Sequence, residues 1–197
     1  ETIVKYGCTK DGNHSKNPRK FLQEAEWIEE ALAKDPENSR YVFYLAQSYG
    51  NAKIYDKSLD LYQKRVLMGG DFEEVFWSYY CMGMIQQHLE KENFLESYTK
   101  AYSLDKNRLE PLLQIARYFF DAKEPLIGYA VAKLGLPVKK PICSGYFHAW
   151  IYDYALELVF GQCALELGRE EEAKKVLAPL LQRGIPQEIK ETIQGIL

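Results

Sequence analysis

The stretch that most constrains this chain is Val42 to Tyr62, VFYLAQSYGNAKIYDKSLDLY. Val42, Leu45, Ala46 and Tyr49 stand three or four residues apart, so they share one face of a helix. Gly50 and Asn51 end that helix. Tyr55, Ser58, Leu59 and Tyr62 then form the apolar face of a second helix, which ends near Gly69 and Gly70. Ala46 and Ser58 are small where two paired helices must approach closely. The unit is a helix–turn–helix of about 34 residues, a size typical of helical repeats. A hairpin of this kind cannot bury its apolar faces alone, so it calls for stacked neighbours.

The pattern recurs. A shift of 36 residues brings Ser78, Cys81, Met82, Ile85, Phe94, Tyr98, Ala101 and Lys106 into register. A further 34 gives Leu112, Ile115, Ala116 and Phe119, then Gly128, Ala132 and Gly135. A further 45 gives Glu157, Phe160, Gly161 and Ala164, then Ala173, Leu177 and Leu180. The long last step predicts an insertion at 139–150 (KKPICSGYFHAW). Upstream, Asn17 and Pro18 suit an N-cap and first helical position. Phe21, Leu22, Ala25, Ile28 and Leu32 then form the apolar face of a lone leading helix that fits the second half of an incomplete unit. IPQEIKETIQGIL reads as a closing helix. The expected organisation is a linker over 1–17 and a repeat domain over 18–197, with units at about 39–72, 75–107, 109–138 and 152–185. The fifteen tyrosines fit as wedges between units, their hydroxyls reaching the rim.

The succession Val42, Leu45, Ala46, Tyr49, then Ser58 and Tyr62, resembles a tetratricopeptide repeat, with Arg65 where the pattern has a small residue and Gly70 in place of Pro. That resemblance implies an all-α, right-handed solenoid of helical hairpins. DPENSRYVFYLAQSY with YQKRVLMGG, and IYDYALEL at the head of the last unit, are more specific. Over about Gly12 to Gly168 they resemble the tetratricopeptide tail behind the catalytic domain of family-2, GT-A-type glycosyltransferases. This implies association with such an enzyme. It does not imply catalysis here, because no Asp-x-Asp metal motif is present. The start at Glu1, without methionine, agrees with an excised piece of a longer protein.

Composition narrows the remaining classes. A formal charge of −3 leaves no basic excess for gripping nucleic-acid phosphates. No apolar run approaches the roughly 20 residues of a membrane span. Cys8, Cys81, Cys143 and Cys163 are scattered, which fits reduced thiols in a cytoplasmic setting. Asp11, Asn13 and Ser15 mimic the start of a calcium loop, but Lys16 and Leu22 stand where Gly and Glu are needed. Asn13-His14-Ser15 is a glycosylation sequon, read here as coincidence. Cys143 and His148 share the insertion without a visible orienting group or oxyanion donor. The acid runs at Glu29-Glu30 and Glu170-Glu171-Glu172 are solvated helix faces. No catalytic residue, metal site or cofactor is expected.

What remains is the face of each first helix turned away from its partner. In register these positions are Arg40, Phe43, Gln47 and Asn51, and then Phe76, Tyr79, Gly83, Gln86 and Gln87. The later units add Glu110, Leu113, Arg117 and Asp121, followed by Leu158, Gln162 and Glu166. Aromatic rings beside amides and arginine suit a protein or peptide segment. The expected function is a non-catalytic interaction module that binds a partner there or self-associates, a homodimer included. The alternative is a structural extension that packs on and orients a catalytic domain, with Tyr146, Phe147 and Trp150 of the insertion as contacts. A carboxylate clamp is not supported, since Phe43 and Gln47 occupy the places of its Lys and Asn.

Overall fold

The computed structural model describes residues 19–141 and 147–197. Among these residues the secondary structure is helical throughout, in the all-α hairpin class expected. The linker over 1–17, and with it Asn17, lies outside the described residues, as does Pro18.

The chain divides into two compact units, one up to Leu104 and one from Asp105. The first opens with helix α1 (Lys20–Lys34). Its Ala25 packs with Leu45 and Tyr49, flanked by Ile28 and Leu32. Two hairpins follow: α2 (Ser39–Asn51) with α3 (Tyr55–Met68), and α4 (Phe72–His88) with α5 (Phe94–Leu104). Asn38 caps α2 by accepting from the Tyr41 N–H, and Asp71 caps α4 by accepting from the Glu74 N–H. The second unit pairs α6 (Glu110–Asp121) with α7 (Pro125–Gly135). Its last hairpin starts with a π-helical turn, Ile151–Ala155, that runs directly into α8 (Leu156–Glu166). Then come α9 (Glu170–Leu177), a 3-10 turn (Ala178–Gln182) and α10 (Gln187–Ile196), the closing helix foreseen.

All four hairpins turn in the same way. Lys53, Glu90, Lys123 and Gly168 each take a positive φ. The N–H of the following residue reaches the carbonyl five residues back: Ile54 to Tyr49 at 2.9 Å, Lys91 to Gln86 at 2.9 Å, Glu124 to Phe119 at 2.8 Å, and Arg169 to Ala164 at 2.8 Å. This left-handed cap satisfies carbonyls that the helix end would leave open. Seven residues before each turn residue stand Ala46, Gly83, Ala116 and Gly161, all fully buried. The second of these is a correction: the residue expected in phase with Ala46 was Met82. The turns lie 37 residues apart between the first two hairpins, whereas their second helices follow the expected 36.

Arg65 is explained by what it touches. Its side chain is wholly buried and donates to Glu74 Oε2 at 3.0 Å and to the Gly69 carbonyl at 2.6 Å. It ties the end of α3 to the first turn of α4 across the Gly69-Gly70 bend, where both glycines have positive φ. A small residue would leave the buried Glu74 with only the exposed Arg40, 4.0 Å away, as a cation. Tyr49, Tyr98 and Tyr129 behave as wedges whose hydroxyls are engaged. Tyr49 donates to Glu29 and accepts from Lys57 at 3.1 Å, while Tyr98 donates to Gln87 at 2.9 Å. Tyr129 stacks on Phe160 at 4.9 Å and donates to Glu172 at 2.6 Å.

The close approaches make a sharp prediction. A Cβ on Gly161 would lie 2.5 Å from the Leu177 side chain, and one on Gly83 would lie 2.5 Å from the Tyr98 ring. A Cβ on Gly195 would meet nothing within 4 Å. Gly83→Ala and Gly161→Ala should each destabilise the protein by about 1–3 kcal/mol in urea unfolding, because the clash outweighs the gain in helix propensity. Gly195→Ala should be neutral or stabilising by up to about 1 kcal/mol.

Candidate functional site

The register correction rotates part of the expected surface. One residue is about 100° around a helix, so α4 turns the expected positions away from the outer face. Phe76 is fully buried. Tyr79 lies beneath Lys100 of α5, with 5.8 Å from the ammonium to the ring centre. Gln86 accepts from Ser97 Oγ at 2.7 Å, and Gln87 accepts from the Tyr98 hydroxyl. Tyr79, Gln86 and Gln87 thus face the partner helix α5. The residues in phase with Arg40, Phe43, Gln47 and Asn51 are instead Trp77, Tyr80, Met84 and His88, and of these only His88 is more than marginally accessible.

On α2 the expectation divides. Phe43 is completely buried against Tyr44 and Tyr62, so it belongs to the core. Arg40 is exposed, and its guanidinium donates to the Tyr44 hydroxyl at 3.0 and 3.2 Å. Gln47 and Asn51 are half-buried, and Gln47 Nε2 is a buried donor without a partner among the described residues.

In the second unit the expected residues come together, except Glu110, which is fully buried and lies outside the cavity. Leu113, Arg117 and Asp121 of α6 face Leu158 and Gln162 of α8 across a cavity of ≈ 390 Å³. Trp150 and Tyr154 line it from the start of the last hairpin, and Ile189 and Thr192 line it from α10. Its volume lies in the range of small-ligand and peptide-side-chain pockets. Shallower hollows continue past Phe120, Gln162 and Glu166 toward Lys123 and Ile196. Arg117 and Asp121 are exposed, and among the described residues neither has a hydrogen-bond or ion-pair partner. The lining therefore combines an apolar floor with one cation, one anion and an amide.

A buried polar hub positions Trp150. Glu110, the first residue of α6, is 0% exposed. It accepts from Arg108 at 3.1 and 3.3 Å, from the Tyr152 hydroxyl at 2.9 Å and from the His148 N–H at 3.4 Å. The Tyr152 hydroxyl in turn accepts from the Leu109 N–H at 3.2 Å. Residues 148 and 152 are thus both fixed to α6, and Trp150 is held between them. Phe147 packs edge-on against Tyr152 at 6.0 Å. Cys143 and Tyr146 lie outside the described residues. The next two residues of the π turn have other tasks. Asp153 pairs with Lys140 at 2.8 Å, and Tyr154 enters the cavity. Arg108, Tyr152 and Tyr154 are absent from the expected site. They precede the repeating positions, and a π turn has no periodic signature. Phe120 does carry a signal: it is in phase with Gly50 of the first hairpin.

Burial pushes the Tyr152 hydroxyl far above its usual range, and the nearby Glu110 carboxylate adds to this. Burial lowers the His148 pKa, with Glu110 opposing and Arg108 reinforcing the change. Cys163 is fully buried, and burial raises its thiol to about 11, which makes it a poor nucleophile. Among the described residues no cluster of side chains could hold a metal ion, and no helix is long and apolar enough to cross a membrane.

No known family profile and no curated protein sequence matches the chain. Solved structures do. The crystal structure of MamA matches with a TM-score of 0.65 and 14% identity, covering 96% of this chain and 99% of that one. YrrB, described as a TPR protein with an unusual peptide-binding site, matches at 0.60 and 13% identity, covering 90% and 84%. TTC0263, a thermophilic TPR protein in Thermus thermophilus, matches at 0.57 and 14%, covering 90% of each chain. At such identities the likeness establishes the fold: an all-α helical-hairpin solenoid of the tetratricopeptide type.

The state of His148 gives a pH prediction. In the unfolded chain its imidazole takes a proton near pH 6.5, whereas in the folded protein it resists until a lower pH. Between those values the unfolded state binds more protons, so stability falls as pH drops. The urea midpoint should therefore decline between pH 7 and pH 5, and His148→Gln should flatten that decline. Identical slopes for the two proteins would contradict this account of the hub.

Proposed function

We propose that the chain is an interaction module that binds a protein or peptide segment in the groove of its second unit. The single observation that carries this reading is the cavity between α6, α8 and α10. There Arg117, Asp121, Gln162 and Trp150 converge over an apolar floor, with both charges unpaired among the described residues. Exposed charges cost little while solvated, and they strengthen when a ligand pairs with them in a partly enclosed site. Trp and Arg are also the residues most enriched among binding hot spots. The likeness to YrrB, described as having a peptide-binding site, supports the same class of ligand.

The finer reading is that this module is the tail of a glycosyltransferase. It is supported by the sequence resemblance of DPENSRYVFYLAQSY, YQKRVLMGG and IYDYALEL. Exposed Trp27 on α1 offers a neighbouring domain an apolar contact, which favours the structural-extension alternative at that end. A cytoplasmic setting accords with Cys81 and Cys163 forming no disulfide among the described residues.

The test is a selection of random twelve-residue displayed peptides on the full chain, with affinities of the selected peptides measured by calorimetry. Arg117→Ala and Trp150→Ala should each weaken binding by about tenfold or more while leaving the helical circular dichroism intact. Peptides that bind both folded variants as tightly as the parent, or a selection that yields none, would refute the groove as the binding site.

A further inference from the structure

We propose that α10 is a hinged flap that gates the groove of the second unit, a regulatory role that rests on reading that groove as the binding site. The root of the flap is pinned. Arg183 donates to the Glu157 carboxylate at 2.5 and 3.2 Å and to the Asp153 carbonyl at 3.0 Å. The joint follows at once: Gly184 is exposed, and nothing lies within 4 Å of where its Cβ would stand. Pro186 then precedes the helix, which has no side-chain cap.

Beyond the joint, Ile185 is buried beside Leu177 and Leu180, and α10 itself is held only by apolar surface. Ile193 is its one fully buried residue, and Ile189 and Ile196, on the same face, are partly buried. Among the described residues its side-chain hydrogen bonds are internal. Gln187 pairs with Glu191 at 3.2 Å, and Thr192 donates to the Glu188 carbonyl at 2.9 Å. Its neighbour α8 buries six residues, including Phe160 and Cys163. An element with few buried residues and no polar tie across its interface is one that opens on its own.

The closed flap covers functional surface. Leu158 and Leu165, at groove-facing positions of α8, pack against the cluster that contains Ile193. Ile189 and Thr192 form one wall of the cavity. Rotation at Gly184 withdraws Ile185 from Leu177 and Leu180 together with α10, uncovers these positions and leaves Arg183, the 3-10 turn and α9 in place. Arg117 and Asp121 are exposed with the flap closed, and the open form adds the apolar Leu158 and Leu165 to what a ligand can reach. A competent state that is only partly populated weakens apparent binding by its population.

Amide hydrogen exchange on the full chain tests the flap without a ligand. The α10 amides should exchange about 100-fold or more faster than those of α8 and α9. Ile193→Ala should speed α10 by about a further 30-fold and leave α8 unchanged. It should also tighten the apparent affinity of groove-selected peptides, because the same substitution raises the population of the open form. If α10 and α8 exchange together in the parent protein, the flap is overturned even where peptide binding depends on Arg117. If α10 opens independently but Ile193→Ala binds peptides no more tightly, α10 is a frayed end and not a gate. If no peptide binds either protein while α10 opens as expected, the groove reading fails and the gate fails with it.

Discussion

The interface between paired helices depends on one steric condition. Seven residues before each turn, the first helix must carry a residue small enough for its partner to lie against the backbone. Ala46, Gly83, Ala116 and Gly161 meet it. Gly161 takes the Leu177 side chain and Gly83 takes the Tyr98 ring, at distances that exclude a Cβ. The left-handed turn residue fixes the spacing, and the small residue fixes the rotation. Together they decide which side chains of the first helix face the core, the partner helix or the groove. The condition also rejects a shift of register, because moving a helix by one residue rotates every side chain by about 100°.

That coupling explains what could be read from the amino-acid order and what could not. The fold class was legible because the apolar spacing and the small residues recur together. In the second unit the groove residues were legible as well, since Ala116 and Gly161 share the phase of Ala46, and Arg117, Asp121 and Gln162 follow from it. On α4 the two signals separated. The second helices kept a 36-residue step while the turns moved by 37, and Met82 stands beside Gly83. A pattern anchored on Tyr62 and Tyr98 therefore selected the wrong neighbour. It placed Phe76, Gln86 and Gln87 at a phase where the structure has Trp77, Met84 and His88, of which only His88 is exposed. The rest was illegible for a different reason. The Glu110 hub and the π turn join residues about 40 apart through a non-repeating segment, and no periodicity encodes that contact.

Each unit also contains a buried arginine–glutamate pair at the entry to a first helix: Arg65 with Glu74 before the body of α4, and Arg108 with Glu110 at the start of α6. The carboxylate lies in the first turn in both cases, where the helix dipole favours negative charge. Such pairs add little net stability over an apolar equivalent, but losing one partner costs about 3–5 kcal/mol. Their effect is to specify a single arrangement. Arg65 fixes how α3 passes into α4, and Glu110 fixes how the returning chain meets α6. The departure of Arg65 from the repeat pattern is thus a joint made at a bend that two left-handed glycines would otherwise leave loose.

The contrast between the hub and the groove bears on function. At Glu110 both carboxylate oxygens are engaged by donors, and the side chain is removed from solvent. Arg117 and Asp121 lie on the same helix, one turn apart, and remain exposed and unpaired among the described residues. Pairing them with each other would gain only about 0.3–0.5 kcal/mol at an exposed helical site. Leaving them open therefore costs the folded protein almost nothing, while an incoming segment that satisfies either one gains a charge-assisted contact beside Trp150 and Leu158. The same helix thus carries a carboxylate committed to architecture at its start and two charges held free toward its end. That division supports the end of α6, and not its beginning, as the place where a partner is read.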